Sequence, residues 1–408
     1  MLDVFGYLIL FSAIVPAAMS AYLCLLTMSA WVMHLREGKK VTPVKQHRFA
    51  FIIPAHNEEK LLNATLDNLK ADLKYPKDSY DIVVIADNCS DRTAEIAKND
   101  AIVFERHNYD KRGKGYALEW GLEQYWQNGY DADAIIILDA DTIVSNNFLD
   151  EVNQHFDQGQ EVIQCFYSVL NPAESWSAGL RYAALAVLHY VRPLGRSLFG
   201  GSAGLKGNGM VFSADVIKNH SWSSSLTEDI EFHMDLLLSG QKVYFAPNAT
   251  IWAEMPNSIQ DADSQNERWE TGRLDMAKKY VPKLLRKGFS GSGNSIAQLD
   301  AVMEHVIPPF AIFNAISLLL LIISAVYLLF APSVSLAWFN FYLTLFILGA
   351  QIVYLLSGLI QTNAPSSVYR NLLYAPLYVI WKLLLVLRIF GKKEAQDNWI
   401  RTTRNEIS

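Results

Sequence analysis

Two carboxylates two residues apart, Asp139 and Asp141, directly follow the apolar run Ala134-Ile-Ile-Ile-Leu138. At the end of a buried strand such a pair repels itself unless a cation lies with it, which points to a hard divalent metal on oxygen ligands. Two other apolar runs end in the same way. Phe49-Ala-Phe-Ile-Ile53 stops at Pro54 and leads to Asn57 and Glu58, and Asp81-Ile-Val-Val-Ile-Ala86 leads to Asp87 and Asp91. One acid after a strand is often a helix cap, and Asp91 carries that reading too. Three strand ends delivering polar residues to one crevice form a site for a nucleotide-type ligand.

Further along, Lys111-Arg-Gly-Lys-Gly115 sets Lys114 between two glycines, where it can approach phosphates; a solvated basic loop has the same composition. Thr227-Glu-Asp229 opens Ile230-Glu-Phe-His-Met-Asp-Leu-Leu-Leu238, a stretch of helical periodicity. Thr227 there suits a cap and Asp229 a first-turn acid favoured by the helix dipole. A carboxylate fixed at a helix start also has the geometry of a general base. Gln265-Asn-Glu-Arg-Trp269 puts an amide, a permanent cation and an indole at i, i+3 and i+4, on one helical side. Glycine-dense Gly200 to Gly209 leads into Met210-Val-Phe212, with Asn208 its polar candidate; a connection of no special role fits equally.

The elements that must position these residues alternate. Each short, continuous apolar run reads as a parallel strand buried on both faces, and each is followed by a polar loop and a helical pattern. That repeat predicts a doubly wound α/β fold over residues 49 to 285, with its ligand beyond the carboxyl ends of the strands. Trp176 to Phe199, with Arg181, Arg192 and Arg196, reads either as an amphipathic helix on a bilayer or as core packing with a polar edge.

Apolar residues make up 51% of the 408, and they concentrate at both ends. Val4 to Met33 is a transmembrane helix by length, followed by Arg36, Lys39, Lys40, Lys45 and Arg48, which places the chain beyond it in the cytosol. Val306–Phe330 and Trp338–Leu359 are long and uncharged, whereas Leu372–Phe390 contains Lys382 and Arg388. If all three spanned, Arg401 and Arg404 would lie outside, against the charge rule. The last stretch is therefore expected to lie in the cytosolic interface. The expected organisation is a transmembrane helix (1–37), a cytosolic catalytic domain (45–290), transmembrane and interfacial helices (300–391) and a tail (392–408). The net charge of −6 offers no basic face for nucleic acid. Cys24, Cys89 and Cys165 lack metal-ligand spacing and read as reduced thiols.

Taken in order, Ile53-Pro-Ala-His-Asn-Glu58, Asp87, Lys111-Arg-Gly-Lys-Gly-Tyr-Ala-Leu118, Asp139-Ala-Asp141, Thr227-Glu-Asp229 and Gln265-Asn-Glu-Arg-Trp269 resemble the motifs of the family 2 glycosyltransferases of GT-A fold. The likeness is to the membrane-embedded group that includes cellulose, chitin and hyaluronan synthases, and it covers about residues 49 to 275. It implies a membrane-bound enzyme of the cell membrane that transfers a sugar from a nucleotide sugar, with UDP the usual carrier. By this resemblance Asp141 holds Mg2+ or Mn2+ on the two phosphates, and Asp139 meets the donor sugar or ribose beside the ion. Pro54, Asn57, Glu58 and Asp87 line the nucleoside, while Lys114 and Arg268 reach the phosphates. Gln265, Trp269 and Asn208 face the acceptor, and Asp229 is the base with Glu228 beside it. A base opposite the leaving group implies inversion. The acceptor is expected to be a lipid-linked or short saccharide. A processive synthase is the alternative, and with about four apolar segments it would need several subunits or a separate export partner. A sugar nucleotidylyltransferase on an anchor lacks its glycine-rich loop after Ile53, and a catalytically dead scaffold would not need Asp139, Asp141, Asp229 and Arg268 together.

Overall fold

The computed structural model describes residues 2–36, 45–223, 225, 227–258, 263–291 and 293–391. The amino-terminal run is one helix, α1 (Leu2–Arg36), of 35 residues. At about 1.5 Å per residue it is longer than the roughly 30 Å of a bilayer core. It is followed by β1 (Phe49–Ala55), α2 (Leu62–Ala71), β2 (Tyr80–Asp87), α3 (Thr93–Ala97), β3 (Ile102–Arg106), α4 (Lys114–Gln127) and β4 (Ala134–Ile137). Next come β5 (Thr142–Val144), α5 (Phe148–Asp157), β6 (Val162–Val169), α6 (Trp176–Leu185), a π-helical turn (Ala186–Val191) and α7 (Arg192–Phe199). The sheet is completed by β7 (Met210–Ser213), α8 (Ala214–Lys218), α9 (Glu228–Ser239) and β8 (Tyr244–Ala253).

The eight strands lie in the order β3-β2-β1-β4-β7-β6-β8-β5. The half β3-β2-β1-β4 is parallel, β7 runs against both β4 and β6, and β8 is parallel to β6 and antiparallel to β5. Successive residues of a strand face opposite sides, and both sides of β1 are covered. Ala50 and Ile52 pack with Leu118 and Leu122 of α4, while Phe49, Phe51 and Ile53 pack with Leu62, Leu66 and Phe148. Burial on both faces explains why β1, β2 and β4 read as unbroken apolar runs.

After the sheet the chain is helical: α10 (Asp263–Phe289), α11 (Ser295–Val306), α12 (Phe310–Phe330), α13 (Ser335–Gln361), α14 (Ser366–Asn371) and α15 (Ala375–Gly391). Among the described residues, four segments are long and apolar enough to cross a membrane: residues 3–36, 310–330, 335–361 and 366–389. Polar side chains tie the first three together, since Asn340 donates to the Gly6 carbonyl at 2.8 Å and Gln351 to Ser317 at 2.7 Å. Such bonds replace the hydrophobic drive that lipid cannot supply between helices.

The segment from α6 to α7 is core packing, not a helix laid on a bilayer. Gly195 lets α7 meet α1 backbone to backbone, for a Cβ there would lie 2.4 Å from the Leu26 carbonyl oxygen. Arg196 is buried on Asp300 at 2.9 Å and also pairs with Glu304, while Tyr22 of α1 bonds the same Asp300. Arg192 donates to the Tyr354 hydroxyl at 2.8 Å. The α/β sheet is thereby bolted to α1, α11 and α13 by arginines whose charges are matched by the buried Asp300 and the half-buried Glu304.

Candidate active site

β1, β2 and β4 are neighbours in parallel, so their carboxyl ends open on one edge. After β1, Asn57 takes a left-handed φ of 56°, which asparagine tolerates better than most residues. Its Oδ1 accepts from the Ser90 amide at 2.7 Å, joining the first two strand-end loops. The Glu58 amide donates to Thr93 Oγ1 at 2.8 Å, and Pro54 lies within β1, in register with Ile85. Asp91 accepts from the Thr93 amide at 3.0 Å and the Glu59 amide at 3.2 Å, the behaviour of a turn residue at the start of α3. Asp87 is buried and paired with Arg106 Nη1 at 2.6 Å. That arginine has no signature in sequence; it reaches Asp87 because β3 runs in register beside β2. Its Nη2 also donates to the Lys111 carbonyl at 2.7 Å, tethering the basic loop.

Asp139 and Asp141 follow β4, and Asp141 is only 3% exposed. Lys114 Nζ lies 2.5 Å from both Asp139 Oδ1 and the Gly207 carbonyl, so it clamps the third strand end to the glycine-dense loop. Asn208 is fully buried between them, accepting from the Asp139 amide at 3.1 Å and donating to Thr142 Oγ1 at 2.8 Å. This loop is therefore a packed part of the cleft and not a slack connection. Gly207, with φ 77°, brings it onto α9: a Cβ there would sit 3.2 Å from Asp229 Oδ2.

Thr227 caps α9 by position, yet its side chain makes no capping bond. It packs on α10 instead, where a Cβ on Gly272 would lie 2.2 Å from its methyl group. On the other side a Cβ on Gly115 would lie 2.2 Å from the Ser223 carbonyl, so the first turn of α4 abuts the segment before Thr227. Glycines at these close approaches gather α4, α9 and α10 around Glu228 and Asp229.

The electrostatics follow from this crowding. Burial and the neighbouring Asp229 charge raise the Glu228 carboxyl to about 7, against the pull of Lys114 and Arg268. Burial raises Asp229 as well, while the Ile230 amide, Lys114 and Lys206 counter it. Burial works against the Lys114 charge, but Asp139, Glu228 and Asp229 outweigh it and its pKa rises. Two adjacent acids that titrate upward together behave as a pair able to take up a proton near neutrality.

On α10, Gln265 Oε1 accepts from Arg181 Nη1 at 3.4 Å, Arg268 has a buried Nε with no hydrogen-bond partner, and Trp269 is 38% exposed. Lys206, Tyr167 and Arg181 also belong to the neighbourhood, although their sequence positions did not single them out as site residues. Lys206 is half-buried beside Glu304, 3.7 Å away, and desolvation lowers its pKa. Only its place in the glycine-dense loop could have marked it.

Among the described residues, no group of three or more His, Cys, Asp or Glu side chains could hold an ion alone. Asp139 and Asp141 instead offer hard oxygen donors from one turn, with Asp141 buried and Asp139 facing the cleft. That donor set fits Mg2+ or Mn2+, which commonly complete their coordination with water and substrate phosphates, and does not fit a closed structural site.

Residues 47–272, over half of the chain, match the family model described as glycosyltransferase like family 2. Among curated relatives, the probable glycosyltransferase YdaM of Bacillus subtilis (strain 168) is 26% identical over 268 residues, 62% of this chain and 60% of that protein. The poly-beta-1,6-N-acetyl-D-glucosamine synthase of Staphylococcus aureus (strain COL) is 28% identical over 238 residues, 54% of this chain and 53% of that protein. The chain thus spans between 53% and 60% of the length of these relatives. Among solved structures, the mannosyltransferase PcManGT from Pyrobaculum calidifontis, in complex with GDP-Man and Mn2+, aligns at 16% identity and a TM-score of 0.48, over 85% of this chain and 98% of that one. Staphylococcus aureus TarS 1–349 with UDP-GlcNAc aligns at 15% identity and a TM-score of 0.39, over 72% and 89%. With one family model running unbroken through the strand-end loops, the paired aspartates, the start of α9 and the first turns of α10, the chain belongs to the glycosyltransferase-like family 2.

Proposed function

We propose that this protein is a metal-dependent, inverting glycosyltransferase that moves a sugar from a nucleotide donor, first among them a UDP-linked N-acetylhexosamine, to an acceptor held at the cytosolic membrane surface. The observation that carries the reading is the convergence of Asp139, Lys114, Gly207 and the Glu228–Asp229 pair on one cleft. In this reading Pro54, Asn57, Glu58 and Asp87 line the nucleoside, and Lys114 and Arg268 hold the diphosphate. Asp141, with Asp139, holds Mg2+ or Mn2+, which when bound supplies Lewis-acid stabilisation of the departing diphosphate. Asp229 takes the proton of the acceptor hydroxyl, with Glu228 sharing it. Gln265, Trp269 and Asn208 position the acceptor, the exposed indole offering a flat face to a pyranose ring.

The hexosamine preference is carried over from the name of the Staphylococcus aureus synthases, which also favours polymer formation as a second reading. A screen of donor consumption across UDP-, GDP- and dTDP-sugars, with purified protein in detergent, tests the first point. Product length under excess donor tests the second: single additions are expected, and a ladder or long polymer would establish a processive synthase. No consumption of any nucleotide sugar would remove the proposal. The nucleotidylyltransferase alternative finds no support in the family match, and release of pyrophosphate would be needed to revive it.

Charge and the contacts of α15 support a reading of the side of the membrane. Lys382, near the middle of that helix, is buried 2.9 Å from Glu270 and 3.1 Å from Asn266, and Arg388 lies 2.7 Å from Asp263. All three partners belong to α10, the helix that carries Arg268, so the midpoint of α15 sits level with the cleft. Leu373, Leu377, Ile380, Leu384 and Leu387 form an exposed apolar stripe along the segment, the pattern of a helix lying in the interfacial plane. Although residues 366–389 are long enough to span, we place α15 in the cytosolic interface, with the catalytic face and the tail on one side. Single Lys45→Cys and Asn405→Cys variants in sealed right-side-out vesicles should both resist an impermeant thiol reagent; position 405 lies outside the described residues. Labelling at 405 alone would show that α15 spans.

A further inference from the structure

Arg181 is 5% exposed, and both its Nε and Nη2 are buried without a hydrogen-bond partner. Among the described residues no carboxylate pairs with it, and its one hydrogen bond is to the Gln265 side-chain oxygen, at 3.4 Å. Burial depresses its pKa, and the groups that work the other way are only the phenols of Tyr378 and Tyr167. The contrast with Arg192 and Arg196, which are buried to a similar degree but matched by Glu304 and Asp300, is direct. A guanidinium stays charged in proteins, and leaving such a charge buried and unmatched is strongly unfavourable. Its natural counterpart is an anion that arrives with a ligand.

The position of Arg181 says which ligand. Tyr167 stands between it and the donor side, feeling the charges of both Asp139 and Arg181 and bonding to Asn208. The donor phosphates belong with Lys114, which is held on Asp139 on that side of the tyrosine, and Arg268 lies one helical turn from Gln265 on α10. On its other flank α6 lies against the interfacial segment: Trp176 stacks on Tyr374 at 5.6 Å, and a Cβ on Gly179 would meet the Asn371 amide at 2.2 Å. Arg181 is thus on the acceptor side, where the cleft meets an apolar helix.

We propose that Arg181, with the Gln265 amide, forms an anion subsite for the acceptor, and that the acceptor carries a phosphate group. This rests on the reading of the cleft as a sugar-transfer site. A planar guanidinium presents paired donors to phosphate oxygens, and the adjoining apolar stripe of α15 suits a phosphate borne on a lipid; a phosphorylated soluble acceptor has the same headgroup chemistry.

The test uses the full-length protein in non-ionic detergent, saturated with UDP and Mn2+ so that the donor phosphate position is filled. It is titrated calorimetrically with dioctanoyl phosphatidic acid, with glycerol 1-phosphate, and with dioctanoyl glycerol as the neutral control. The wild type should bind a phosphate probe and ignore the neutral lipid. Arg181→Met should weaken that binding by about tenfold or more while leaving UDP affinity within about twofold, and Arg181→Lys should fall between. Tighter binding of the lipid than of glycerol phosphate assigns a lipid acceptor; equal binding assigns a soluble one. Wild type that binds neither probe, or Arg181→Met that binds as wild type does, overturns the subsite. If the methionine variant does not fold, Arg181→Lys and Gln265→Ala carry the same comparison. Failure to bind UDP at all would instead count against the transfer reading, so the two failures are separable.

Discussion

Replacing Asp229 by asparagine should lower sugar-transfer turnover by roughly 100-fold or more, the usual cost of losing a general base, with donor affinity changed little. The substitution keeps the size of the side chain and most of its hydrogen bonding but removes the proton acceptor. Its surroundings make the result informative. Asp229 is enclosed by α4, α10 and the glycine-dense loop, and burial holds both carboxyls of the Glu228–Asp229 pair at raised pKa values against the pull of Lys114. Were Asp229 merely a first-turn acid of α9, the same change would cost about 1 kcal/mol of stability and leave turnover near normal in the folded fraction. Donor binding, melting temperature and turnover measured on one preparation separate these outcomes. Near-normal turnover would move the base elsewhere, with Glu228 next in line. Glu228→Gln on the same preparation then shows which member of the coupled pair carries the proton.

Metal removal should have an effect at least as large. EDTA is expected to abolish transfer, and Mn2+ or Mg2+ to restore it, since in the proposed arrangement the metal shares with Lys114 and Arg268 the charge of the departing diphosphate. Asp141→Ala should weaken metal-dependent donor binding and cost at least about 100-fold in turnover, the scale of several kcal/mol of lost Lewis-acid stabilisation. Asp139→Ala should also be severely impaired, but with residual metal binding. It additionally frees Lys114, whose ammonium lies 2.5 Å from Asp139. Equilibrium binding of Mn2+ in the presence of UDP distinguishes the two variants. Full activity in EDTA would end the metal assignment.

Local pattern alone was enough to place the three parallel strands, the polar residues at their ends and the long apolar helices. Those features are set within a few residues, by burial on both faces of a strand or by the length needed to cross lipid, and so they leave a periodic trace in sequence. Family resemblance added the order of the motifs, and the family model bears out that recognition. Long-range packing decided the rest. Arg106 pairs with Asp87 only because β3 lies in register with β2. The glycine-dense loop, legible in sequence either as a slack connection or as an acceptor loop, is packed between Asp139 and Asp229 because Gly207 and Asn208 fill space that other residues could not. Trp176 to Phe199 looked as ready to lie on a bilayer as to enter a core. Its arginines could be buried once Asp300 and Glu304, about a hundred residues later, were brought to them. The cations of α15 argued against a span when read alone, and their carboxylate partners on α10 show where the helix spends that charge. Arg181 shows the limit most clearly. Sequence marks it as one more cation on a mixed helix, and only the tertiary structure shows that no acid among the described residues meets it. The type of a side chain is a local fact, whereas whether its charge is matched depends on which distant segments fold against it.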